Sequence, residues 1–123
     1  MNADELKQRT KRFSLEIIKL IESLPKTKTG DVIGRQILRS GTSIGANYRS
    51  ACRARSKADF ISKAGIAIEE ADETSYWLEL LLEASLIPEP RLENLIKEAN
   101  ELTAILTASV ITARKNLQKT QPK

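Results

Sequence analysis

The sequence predicts an all-α protein folded as an up-down-up-down antiparallel four-helix bundle. Three observations carry that reading. Four long stretches have apolar residues recurring at three and four, and short polar or proline-bearing connectors separate them. Aromatic residues make up only 4% of the chain beside 41% hydrophobic residues, so the core must be built from Leu, Ile, Val and Ala, the mix of packed helices. Short connectors make consecutive helices antiparallel neighbours. With 123 residues the chain reads as one domain, 1–123, ending in a polar tail from about Gln118.

The first helix is expected from Asp4 to Leu24, where Leu6, Phe13, Ile17, Leu20, Ile21 and Leu24 form a stripe with one gap at Thr10. Pro25 disfavours helical geometry at the residue before it, and the polar stretch 26–30 is a connector. The second helix is expected to begin near Asp31 as its N-cap. Its stripe of Ile33, Ile37, Ser40, Ile44, Tyr48 and Ala51 passes in phase through Gly41 and Gly45. A loop would break that phase, so both glycines belong inside the helix. Each costs about 1 kcal/mol relative to alanine there, which close approach of a neighbouring helix can offset. A kink at Ser40 and Gly41 is compatible with the same pattern.

The turn out of the second helix falls around Ala54 and Arg55, and Ser56-Lys57-Ala58-Asp59 has the serine-then-acid spacing of a capping box opening the third helix. That helix carries two apolar stripes, one through Ile61, Ala64, Ile68, Ala71, Ser75, Leu78 and Leu82, the other through Phe60, Ala67, Thr74, Trp77 and Leu81. So wide an arc needs cover on more than one side, from three neighbouring helices or from another subunit. Phe60 and Trp77 are the candidate subunit-interface residues, because aromatics are enriched at interfaces; packing inside the monomer is the alternative. The stretch from Ser85 to Pro90 is the third connector. The fourth helix runs through Leu92, Leu95, Ala99, Leu102, Leu106, Ser109, Ala113 and Asn116 close to a heptad, with Ile105, Ala108, Ile111 and Thr112 as a weaker second edge.

Charge is sorted along the chain. Net charge is +4, but residues 1–68 carry +8, residues 69–101 carry −8 and residues 102–123 carry +4. In this topology the start of the first helix, the turn between the second and third, and the end of the fourth share one end of the bundle. Lys11, Arg12, Arg49, Arg53, Arg55, Lys57, Arg114 and Lys115 gather there and are the candidate nucleic-acid-binding residues. With Lys7, Arg9, Lys63, Lys119 and Lys123, thirteen basic residues stand against Asp4, Glu5 and Asp59, a local balance of +10. A basic end is the electrostatic footprint of a phosphate-backbone binder, and scarce aromatics favour backbone contacts over base stacking. The competing use is solvated helix ends, with Arg114 and Lys115 complementing a helix dipole.

Catalytic chemistry is narrowed by what the composition lacks. There is no histidine, which excludes Ser-His-Asp and Cys-His nucleophiles and the Glu-x-x-His pairs of di-iron bundles. The acidic run of Glu69, Glu70, Asp72 and Glu73 is therefore expected to form solvated faces and salt bridges to arginines on neighbouring helices. No phosphate-cradling glycine motif is present, and the charges around Gly41 and Gly45 argue against their membrane-dimer spacing. The single cysteine, Cys52, cannot form an intramolecular disulfide and fits a reducing compartment. With no signal-like amino terminus and no span-length apolar run, the expectation is a cytoplasmic, non-enzymatic protein using no cofactor, metal or membrane.

The residues Ile37 to Arg49, Ala54 to Ile61 and Glu70 to Leu81 resemble the bacterial four-helix-bundle family of 23S rRNA intervening-sequence proteins, and the likeness extends from Phe13 to about Arg114. Members are similar to the accessory protein of diversity-generating retroelements. The resemblance implies a homopentameric ring whose positively charged surface binds nucleic acid and a reverse transcriptase, with no established enzymatic activity. Two positions depart from the family pattern: Glu69 replaces an expected basic residue and Ser75 an expected acid. The resulting expectation is a self-associating nucleic-acid-binding protein with RNA preferred to DNA. The reading from another class is a protein-interaction scaffold or accessory subunit docking a reverse transcriptase or other protein.

Overall fold

Side-chain caps start three of the four helices in the computed structural model, which describes residues 1–120. The helices are α1 (Ala3–Glu22), α2 (Lys28–Cys52), α3 (Lys57–Glu83) and α4 (Glu89–Thr120), and no strand occurs among the described residues. Asn2 accepts a hydrogen bond from the Glu5 N–H, Thr27 from Gly30 and Ser56 from Asp59, each satisfying an amide that the helix leaves unpaired.

The Ser56 cap is the one the sequence predicts, but two boundaries differ. Helix α2 starts at Lys28, and Thr27 rather than Asp31 is its N-cap; Asp31 sits in the first turn, where its charge still favours the positive helix end. Helix α1 stops at Glu22 instead of Leu24, with Ser23 as C-cap bonding back through its N–H to the Leu20 carbonyl at 3.0 Å. At the third connector Pro90 falls inside the first turn of α4, where its missing N–H leaves no bond unmade. Helix α4 continues through Gln118 and Lys119, so the expected polar tail is helical that far, and its remainder, 121–123, lies outside the described residues.

Helix α3 ends on a Schellman turn. Ser85 takes a left-handed conformation, φ 56°, while the Ser85 and Leu86 N–H groups donate to the carbonyls of Leu82 and Leu81. A side chain in that conformation costs roughly 1 kcal/mol that glycine avoids. Ser85→Gly is expected to raise stability by about that amount in urea denaturation.

Helices α2 and α3 pack along their length, as do α3 and α4; α1 lies on α2 and meets α4 over a short stretch only. The fully buried Ile17, Leu20, Ile37, Ile44, Leu78, Leu81, Leu92, Leu102 and Leu106 form the core. A smaller cluster of Ala51, Ala64 and Val110 closes the end where α2 turns into α3. Thr10 fills the gap in the α1 stripe: it is buried, and its hydroxyl donates to the Lys7 carbonyl at 3.0 Å.

Helix α2 is unbroken through Ser40 and Gly41. A Cβ on Gly41 would lie 2.9 Å from Ile17 Cγ1, and one on Gly45 would lie 3.4 Å from the Thr10 carbonyl carbon, so α1 approaches α2 where the side chains vanish. On the other side of α2, buried Ser40 and Thr74 meet at 2.9 Å, and the Thr74 hydroxyl donates to the Glu70 carbonyl, which leaves Ser40 to donate to Thr74.

The wide apolar arc of α3 is covered by two neighbours, α2 and α4, rather than three. Phe60 and Trp77 are half-buried against the monomer's own core. Among the described residues no acceptor reaches the buried Trp77 Nε1. Its neighbour Tyr76, in edge contact, is the aromatic that faces solvent, 56% exposed. Ser75 is buried and donates to Asn100 Oδ1 of α4 at 3.0 Å. The α4 stripe closes on Val110 rather than Ser109, because a straight helix repeats at 3.6 residues and drifts out of a strict heptad.

Candidate nucleic-acid interface

Lys7 and Lys11 lie one turn apart on one face of α1, and Arg49 and Arg53 are related in the same way on α2. The two helices run antiparallel with Thr10 against Gly45, which sets Lys7 across from Arg49 and Lys11 beside Gly45 and Ala46. All four cations line a groove of about 470 Å³ whose other walls are Asp4, Gln8, Ser14, Gly45 and Ala46. Three sequence-predicted residues, Lys11, Arg49 and Arg53, are thus brought together. Lys7 joins them although the candidate set omits it; its four-residue spacing from Lys11 is the signal that finds it. The Lys7 ammonium lies 3.2 Å from Asp4.

The remaining candidates share this end but occupy other surfaces. Arg12 faces a second groove, between α1 and α4, together with Arg9, Phe13, Glu16, Arg91 and Leu95. Arg55 and Lys57 are exposed at the turn into α3. Arg114 and Lys115 are exposed one turn beyond Val110, which packs with Ala51 and Ala64 at the level of that turn. None of the eight candidates forms an ion pair among the described residues. Lys123, also counted at this end, lies outside the described residues.

Arg9 leaves the basic surface. Its guanidinium forks onto Glu98, with contacts of 2.8 and 2.6 Å, and reaches Glu101 at 3.1 Å, linking α1 to α4 where little else does. Hydrogen bonding from Arg9 holds the Glu98 carboxyl below the usual carboxylate range, against an opposing push from burial. A lowered pKa means that the pair's contribution is present above the unfolded-chain value, about 4.3, and is lost as pH falls through the lower folded value. Urea denaturation from pH 6 to pH 3 is expected to show this loss. Glu98→Gln should flatten that acid limb by up to about 1 kcal/mol.

Elsewhere, some cations are answered. Arg39 on α2 pairs with Glu70 at 3.1 Å and with Glu73, both on α3, the use expected for the acidic run. Lys63 pairs with Asp59. No cluster of three potential metal ligands occurs among the described residues. Burial holds the Tyr48 phenol well above its ordinary value, with the Cys52 side chain adding to the effect, so Tyr48 adds no negative charge beneath Arg49 and Arg53. No described helix is long and apolar enough to cross a membrane.

Fold and charge together define a small antiparallel four-helix bundle with a cationic end, most of whose cations have no ion-pair partner among the described residues. Within that class the chain belongs to the 23S rRNA-intervening sequence protein family, whose pattern matches residues 4–108. The chain is 40% identical to a protein of unknown function from the S23 ribosomal protein family of Bacteroides thetaiotaomicron, solved by crystallography at 1.70 Å. The two agree with a TM-score of 0.83 over 89% of this chain and 98% of that one. No curated protein matches the chain.

Proposed function

We propose that this is a non-catalytic nucleic-acid-binding protein that holds a phosphate backbone at its basic end, prefers RNA to DNA, and works in the cytoplasm as a homo-oligomer, a pentamer by the family resemblance. The observation that carries the reading is the number of exposed, unpaired cations gathered at one end of the bundle. Arg9 and Arg39 turn to glutamates on neighbouring helices and so drop out of that number. The eight candidates come from three separate parts of the chain and have no ion-pair partner among the described residues. Such charge repels itself in the free protein and gains free energy when phosphates replace condensed counterions. The family's name inclines the reading toward RNA.

Fluorescence anisotropy with a mixed-sequence RNA at low and moderate salt tests the reading, using the chain and a variant with Arg49, Arg53 and Arg55 changed to Glu. Equal binding by both overturns it. An absence of RNA binding at low salt leaves the protein-interaction scaffold as the function. Light scattering of the same samples reports the subunit number.

A further inference from the structure

Resting on the nucleic-acid reading, we infer that the groove between α1 and α2 seats one single strand, its phosphodiester backbone running along the groove rather than a duplex lying across the bundle end. The cations are stacked along the helix axes. Arg53 is outermost, beside Asp4; Arg49 and Lys7 face each other one turn further in; Lys11 comes next, at Gly45 and Ala46. One helical turn rises about 5.4 Å, so positive charge recurs along the groove at a step close to that between neighbouring phosphates of one strand.

The floor suits a backbone. Gly45 and Ala46 form a low floor between the cationic walls, the Gly45 backbone seated against Thr10 and only the Ala46 methyl projecting. The furrow over two helices packed about 8–10 Å apart is about one chain wide, so a single strand can follow it while a duplex can rest only one edge on it. The lone acid in the groove, Asp4, stands at its outer end and is already engaged by Lys7. Arg12, Arg114 and Lys115 lie outside the groove and enlarge only the surrounding field.

The experiment uses the full chain with a labelled single-stranded RNA of about a dozen nucleotides, the matching blunt duplex, and a single-stranded DNA of the same sequence. Two double variants carry the same change in charge at the same end: Lys11→Glu with Arg49→Glu inside the groove, and Arg114→Glu with Lys115→Glu outside it. Circular dichroism melting confirms that both fold. The groove pair is expected to weaken single-strand binding on the order of 10-fold more than the outer pair, with the single strand preferred to the duplex. Equal losses from the two pairs, or a duplex bound as tightly as the single strand, would overturn the groove assignment while leaving the basic end as a binder. Failure of the unaltered chain to bind any of the three probes would instead sink the nucleic-acid reading. Weaker binding of the DNA strand than of the RNA supports RNA as the natural occupant.

Discussion

Gly41→Leu is expected to destabilise the fold by about 3 kcal/mol, at the upper end of what overpacking a filled core costs. A bare Cβ at this position already lies 2.9 and 3.0 Å from Ile17 Cγ1 and Cγ2. Ile17 has no exposed surface, so it has no solvent-side rotamer into which to retreat. The gain in helix propensity over glycine, about 1 kcal/mol, is too small to compensate. Gly65 supplies the control, because nothing lies within 4 Å of a Cβ built there. Gly65→Ala should therefore stabilise by up to about 1 kcal/mol. The decisive measurement is a double-variant cycle in urea. Ile17→Ala alone leaves a cavity costing about 2–5 kcal/mol, but combined with Gly41→Leu it makes room for the new side chain. The pair should then be less destabilised than the sum by roughly 1–3 kcal/mol. Simple additivity would mean that Gly41 does not set the distance between α1 and α2.

That close approach was legible in the sequence because the phase of Ile37, Ser40, Ile44 and Tyr48 survives both glycines, and a continuous stripe depends only on local geometry. The Ser56 cap was legible for the same reason. Thr27 was not: it stands in a polar connector four residues from Asp31, threonine and aspartate cap with similar strength, and only the path of the chain after Pro25 selects between them. The site divides in the same way. The topology suffices to send all eight cations to one end. It does not show that Arg9 turns to Glu98 while Arg12, three residues on, stays without an ion pair, or that Lys7 joins the groove of Lys11. Those outcomes depend on the distance and rotation between helices, which a one-helix pattern does not encode. Ser75 makes the point from the opposite direction. It stands in the apolar stripe of α3, yet its hydroxyl is satisfied across the interface by Asn100, which sequence spacing does not place opposite it.

Changing Arg49, Arg53 and Arg55 to Glu is expected to lower RNA affinity at moderate salt by about 100-fold or more, the largest functional effect of any surface substitution in this chain. The three side chains are exposed and have no ion-pair partners among the described residues, so their reversal leaves the core untouched. Glutamates at 49 and 53, at the C-terminus of α2, oppose the helix dipole, an expense of roughly 0.3–1 kcal/mol each that a small shift in melting temperature would reveal. The loss in binding is larger because it has two parts: phosphate contacts disappear, and the new carboxylates repel the phosphates that remain. Losing three contacts to a single strand should flatten the slope of log affinity against log salt by about 2. Lys26→Glu with Lys28→Glu separates position from net charge. Both residues are exposed at the opposite end, around the α1–α2 connector, and more than a Debye length of about 10 Å from the basic end at 0.1 M salt. Their reversal should change affinity by no more than about two-fold under those conditions. Loss of binding in proportion to charge alone, wherever the reversal is made, would show that the protein attracts RNA as a diffuse polycation and that the convergence of Arg49, Arg53 and Arg55 has no special part in it.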